Sequence, residues 1–192
     1  TRTNGNNSLE QGGGGVCSVS LSGIVSNCVI VGNSASQLGG GSRLCNLWNC
    51  TLVGNSAFFG GGSYSGTLTD CTLSNNTATA RGGGAYASRL TNCIITANSA
   101  ANGHSGSSTA SGGGVDSCPA LYSCLLSGNY AEWGGGGAAG EGSGERMYNC
   151  TITNNSAFLG GGTWNVKLIR CTLIGNRADI GGGAHCAPYG TS

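Results

Sequence analysis

Hydrophobic and polar positions alternate along this chain in short bursts. In Cys71-Thr72-Leu73 the thiol and the leucine fall on one side of an extended strand, and the threonine falls on the other. Seven phrases share this form: NCVIVGNSA, NCTLVGNSA, DCTLSNNTA, NCIITANSA, SCLLSGNYA, NCTITNNSA and RCTLIGNRA. Their cysteines are Cys28, Cys50, Cys71, Cys93, Cys124, Cys150 and Cys171. The apolar spacing is two, and no ten-residue stretch escapes glycine, asparagine or proline, which argues against helix. Each phrase predicts a strand whose cysteine and following aliphatic residue point inward.

An asparagine follows each of these cysteines by five positions: Asn33, Asn55, Asn76, Asn98, Asn129, Asn155 and Asn176. An alanine comes two positions later, and a glycine cluster closes the unit. The usual step is 21 or 22 residues. Two longer steps contain the polar insertions ANGHSGSSTAS and AAGEGSGE, expected as surface loops near 101–111 and 138–145. A period of this length with strand-like phrases predicts a β-solenoid, because one coil cannot bury its own inner face. The asparagines are expected to turn the chain and to stack in a ladder. Eight glycine clusters suggest about eight coils in a single domain, 1–192.

These phrases carry a resemblance. The chain resembles right-handed parallel β-helices of the pectin-lyase-like type. More closely, it resembles the Gly-rich NCTxxxNSAxxGGG repeats of large bacterial surface proteins, including polymorphic outer-membrane proteins. The resemblance implies an all-β, single-stranded parallel β-helix. That fold carries lyases, adhesins and structural stalks alike, so it implies no single activity.

Composition narrows the classes. Of 192 residues, 39 are glycine, and only 8% are charged, with a net charge of +1. That is too neutral for a nucleic-acid partner. No apolar run reaches the length of a membrane span, so no membrane insertion is expected. Eleven cysteines with a single lysine, Lys167, point to an extracellular or cell-surface protein. The chain starts at Thr1 without a methionine or a signal-like stretch, which reads as a processed or excised piece.

The seven-cysteine column reads as buried thiols. In-register side chains on parallel strands stay about 4.8 Å apart at Cβ, wider than a disulfide takes. A linear ladder offers no convergent ligand set, so no metal and no cofactor are expected. Cys17 and Cys45, each just past a glycine cluster, are the candidate disulfide. Cys118 has no named partner.

Catalysis is not expected. The outward positions before the ladder cysteines include one acid, Asp70, and one base, Arg170, four coils apart. No paired carboxylates, nucleophile set or phosphate loop can be read. A polysaccharide-active enzyme and an ice-binding protein are the less favoured readings. For the latter, the outward threonines Thr51, Thr72, Thr151 and Thr172 are interrupted by Ile94 and Leu125. Trp48, Trp133 and Trp164 do not share one repeat position, so no glycan platform is evident, and any surface glycan is left unassigned.

The ends suggest assembly. The chain opens in the second half of a repeat and closes in the first half of one. Joining two copies gives a step of 24 residues between Gly183 and the next Gly15. One alignment places Asn7 at the ladder asparagine and Arg2 at the ladder cysteine. The expected function is an extracellular structural subunit whose partner is itself, stacked head to tail into a filament. Cys186 and Cys17 are the candidate junction residues. The alternative is a stalk or adhesin fragment of a larger bacterial surface protein.

Overall fold

The computed structural model describes residues 2–3, 12–101, 110–141 and 144–186. It is all-β, with parallel coils stacked into a β-solenoid. One coil shows the plan: strands Thr51–Val53, Ser56–Phe59, Ser63–Tyr64 and Thr67–Thr69 run in sequence, each on a different sheet. Among the described residues the first sheet runs from Arg2–Thr3 to Arg177–Ile180, and the second from Val16–Cys17 to Ala184–His185; each has eight strands. The third runs from Gly23–Ser26 to Lys167–Ile169, and the fourth from Val29–Val31 to Thr172–Ile174; each has seven.

The solenoid therefore has about seven turns rather than eight. The eight glycine clusters count passages through one corner, and among the described residues the first passage has no third- or fourth-sheet strand before it. At about 4.8 Å per turn the stack is about 34 Å long.

Side-chain alternation builds the core. The third sheet contributes Leu47, Leu68, Leu90, Leu121 and Met147, and the fourth contributes Leu52, Leu73, Ile95, Leu126 and Ile152. All of these are buried. Small residues fill the other walls: Ala57, Ala78 and Ala100 on the first sheet, Ser42, Ser63 and Ala85 on the second. Thr51, Thr72, Ile94, Leu125, Thr151 and Thr172 form one outward column of the fourth sheet.

Corners explain the abundance of glycine and asparagine. Between consecutive sheets the chain commonly passes through one residue with positive φ. Around one coil these are Asn49 (49°), Gly54 (62°), Gly60 (64°) and Ser65 (54°). Glycine takes this conformation without penalty, and asparagine comes next. The ladder asparagines are not these residues. The turning position is the one before them, for example Gly54 before Asn55 and Asn75 before Asn76. The residue before each ladder cysteine, from Asn27 to Arg170, is likewise a corner, not a strand position.

The insertions are narrower than expected. Residues 102–109 and 142–143 lie outside the described residues. Ala110 and Ser111 are buried, and Ser111 bridges Gly134. Ala138–Ala139 is a buried strand of the second sheet, not loop.

The N-terminal register also differs. Arg2 pairs with Ser34 and Thr3 with Ala35, so Arg2 sits one place after the ladder asparagine, not at the ladder cysteine. Gly12 bridges Leu38. Eight residues, 4–11, thus stand between Thr3 and Gly12, where the next coil uses only Ser36 and Gln37. The 24-residue step counts six residues that the next coil lacks, and it gives no support to a junction.

Candidate functional site

Two ladders run the length of the core. In the first, each buried asparagine bonds both neighbouring coils. Asn76 donates from Nδ2 to the carbonyl of Leu52 at 3.0 Å and to Oδ1 of Asn98 at 2.9 Å, and from its backbone N–H to the same oxygen at 2.9 Å. Its own Oδ1 accepts from the backbone N–H and Nδ2 of Asn55, both at 3.0 Å. The side chain's bonding capacity is filled, as burial demands. Asn55, Asn98, Asn129 and Asn155 repeat the pattern, while Asn33 and Asn176 are its outer members. From Asn55 to Asn176 each Oδ1 receives from the coil before it, so the ladder has a direction.

The second ladder holds the seven thiols. Cys50, Cys71, Cys93, Cys124 and Cys150 are buried, Cys171 is half-buried and Cys28 is exposed. Each sulfur lies against the carbonyl two residues back, as Cys93 does with Thr91 at 3.3 Å. Several also reach a carbonyl of the previous coil, such as that of Leu68 from Cys93 at 3.5 Å. These are weak bonds suited to a small apolar side chain with one polar edge. Hydrogen bonding to Cys93 and burial both push the Cys71 thiol up. Hydrogen bonding from Cys124 and Cys71 pulls the Cys93 thiol down in turn, so the shifts alternate along a column whose role is packing.

All eleven cysteines are free thiols. Cys17 and Cys45 are not joined. Cys17 is in register with Arg43, whereas Cys45 pairs with Gly23 one sheet further on. Both lie near one corner, where burial and the neighbouring Cys17 push the Cys45 thiol up. Cys17 is exposed, with the guanidinium of Arg43 donating to it at 3.8 Å, and Cys45 is buried. Cys118 is buried too. Its sulfur accepts the backbone N–H of Ser88 at 3.4 Å, and burial pushes its thiol up to about 12. Cys186 is exposed, directly after His185, which pairs with Trp164.

The glycine clusters make these ladders possible. In every cluster but the last, the final two glycines pack where a Cβ would meet backbone. One on Gly61 would stand 2.4 Å from the carbonyl oxygen of Thr77. One on Gly62 would stand 3.1 Å from the amide of Asn76, so this glycine makes room for the ladder.

No protein-family model and no curated protein sequence matches this chain.

Packing also gathers polar groups that are scattered in sequence. Arg81 and Glu141 form an ion pair across 60 residues, on a partly exposed surface where such pairs contribute little. Asp116 is buried beside them and accepts from the hydroxyls of Ser111 and Ser117. Burial raises its pKa, and those hydrogen bonds and the charge of Arg81 hold the rise back. Both oxygens are engaged, which suits an internal tie rather than a reacting acid.

The outer face of the third sheet escaped the sequence reading. Four residues before the ladder cysteines, Thr67, Arg89, Ala120, Arg146 and Lys167 stand in one column. Two residues before them, Trp48, Thr69, Thr91, Tyr122 and Tyr148 stand in the next. Reading those two phases down the repeat would have found three of the chain's eight cations aligned. The sequence reading followed only the positions that flank the cysteine.

Proposed function

We propose that this protein is an extracellular structural subunit, a β-solenoid that stacks head to tail with further copies of itself into a filament. The observation that carries the reading is the direction of the asparagine ladder together with its open end. At the last coil, the Nδ2 of Asn176 donates back to Ile152 at 2.8 Å. Neither its Nδ2 nor its backbone N–H has a further Oδ1 to meet among the described residues. Lys167–Ile169 and Thr172–Ile174 are edge strands there, and Gly23–Ser26 and Val29–Val31 are edge strands at the opposite end. Leu173 is only partly buried, whereas its equivalents Leu52 and Leu73 are fully covered. Edge strands with unfilled backbone groups and a half-covered core favour the addition of another coil in the same register. A contact between unlike ends does not close, and so it propagates.

The extracellular assignment is supported by a composition poor in lysine and glutamate and rich in glycine, asparagine, serine and threonine. The right-handed, pectin-lyase-like form and the surface-protein repeat type are part of the same proposal. They are supported by the NCTxxxNSAxxGGG phrases. Light scattering of the full chain across a concentration series tests the assembly. Mass should rise with concentration, and Leu173→Lys, which puts a charge on the exposed end, should suppress the rise. A constant mass of one chain at every concentration would favour the alternative, a stalk or adhesin whose open ends are covered by further coils of the same polypeptide.

A further inference from the structure

Arg89 and Arg146 flank Ala120 in one outward column of the third sheet, and Tyr122 and Tyr148 stand beside them. With Glu145, these residues line a cleft of about 420 Å³. We propose that this cleft binds a tetrahedral oxyanion, a sulfate or phosphate monoester, whose organic ring lies against Tyr122.

The two guanidiniums are the first reason. Both arginines are exposed, and neither forms an ion pair or a side-chain hydrogen bond with a described residue. Among the described residues the ion pair is the one between Arg81 and Glu141. Register puts Arg89 and Arg146 two strand spacings apart, about 9.6 Å at Cα. Both line the same cleft, and two side chains of this length can reach across that gap to one ligand.

Ala120 is the second reason. It is buried at 7% exposure and is the smallest residue between two arginines in its column. A larger side chain would fill the notch that they bracket.

The shape of the anion follows from the forks. Each guanidinium offers a planar pair of donors that matches two oxygens. A carboxylate has only two oxygens in all and satisfies one fork. A sulfate or phosphate monoester has three terminal oxygens and can engage both. The rings of Tyr122 and Tyr148 stack at 5.0 Å with an 8° interplanar angle. Tyr122 remains 45% exposed and offers a flat apolar wall. The cleft volume falls within the range of small-molecule sites, roughly 300–1,000 Å³. Two cations and one carboxylate line it, and this net single positive charge favours the monoanionic sulfate ester over a phosphate dianion. Lys167, next in the column after Arg146, adds attraction at longer range.

Titration calorimetry on the full chain tests this with 4-nitrophenyl sulfate, 4-nitrophenyl phosphate and 4-nitrobenzoate. The sulfate ester should bind tightest and the benzoate weakest, and affinity should fall as salt is raised. Arg89→Gln and Arg146→Gln should each weaken the sulfate ester by about 10-fold, which corresponds to one charged hydrogen-bonded contact. Lys167→Gln should weaken it far less. Ala120→Leu should abolish binding, and its melting curve shows whether the coil is intact. Tighter binding of the phosphate ester, with the same dependence on both arginines, keeps the oxyanion site and assigns it to phosphate. No saturable binding of either ester would overturn the proposal. So would equal affinity for all three probes, or a loss in Lys167→Gln as large as in the arginine variants.

Discussion

The Nδ2 of Asn76 donates to Oδ1 of Asn98 at 2.9 Å, and the backbone N–H of Asn76 donates to the same oxygen. One side-chain oxygen thus ties two donors of the preceding coil. This fixes the register of successive coils in a core that small residues alone would leave free to slip.

Replacing Asn76 tests that role. Asn76→Ala removes the acceptor for two donors of Asn55 and the donor to Leu52. Each orphaned buried group costs about 1–3 kcal/mol, so the total should exceed about 2 kcal/mol. Denaturant titration measures it. An unchanged midpoint would mean that water replaces the amide, and the ladder would then be incidental.

Glycines at two neighbouring places should behave oppositely. A Cβ on Gly61 meets backbone oxygens at 2.4 and 2.5 Å, so Gly61→Ala should be severely destabilising. A Cβ on Gly54 meets nothing within 4 Å, and asparagine already occupies this corner as Asn75 and Asn154. Gly54→Asn should shift stability by less than about 1 kcal/mol. Equal damage from both variants would contradict the separation of positive-φ corners from close-packed ones.

The Cys118 thiol gives a pH dependence. Burial raises its pKa from 9.0 to about 12 in the folded chain. A group raised on folding contributes stability that is full below the unfolded value and is lost as pH rises toward the folded one. Between pH 9 and pH 12 the native chain should therefore lose stability through this thiol. At pH 10.5 the loss should be on the order of 1–2 kcal/mol. Cys118→Ala should show a smaller change in denaturation midpoint between pH 8 and pH 10.5 than the parent. Identical slopes would place the thiol in contact with solvent.

Two exposed thiols report on the junction. Cys17 lies on the first strand of the second sheet, and Cys186 follows the last strand of that sheet. In a stack of copies these ends meet. Air oxidation of assembled material should give a ladder of multimers on a non-reducing gel. Cys17→Ser or Cys186→Ser should abolish that ladder without dispersing the assembly. If oxidation yields only single chains, the two thiols do not adjoin.

Much of this was legible from the cysteine phase. Cys71 and Leu73 face inward, the asparagine column exists, and the glycine clusters mark a corner, because each follows from alternation and a fixed period. The turning residue was misread, since asparagine is suited both to a positive φ and to a buried amide ladder. Gly54 before Asn55 resolves the two. The Arg89–Arg146 cleft was missed for a different reason. Its members recur at one repeat phase, but Ala120 and the long insertions interrupt the run, and only the register of the third sheet aligns them. Asp116, Arg81 and Glu141 share no phase at all, and nothing local foretells that they meet.

Electron microscopy of the native assembled material tests the central claim most directly. Stacked solenoids should appear as unbranched filaments with strands perpendicular to the axis, a spacing of about 4.8 Å along it and a subunit repeat near the length of one chain, about 34 Å. Dispersed particles of single-chain size, with both solenoid ends facing solvent at every concentration, would contradict it.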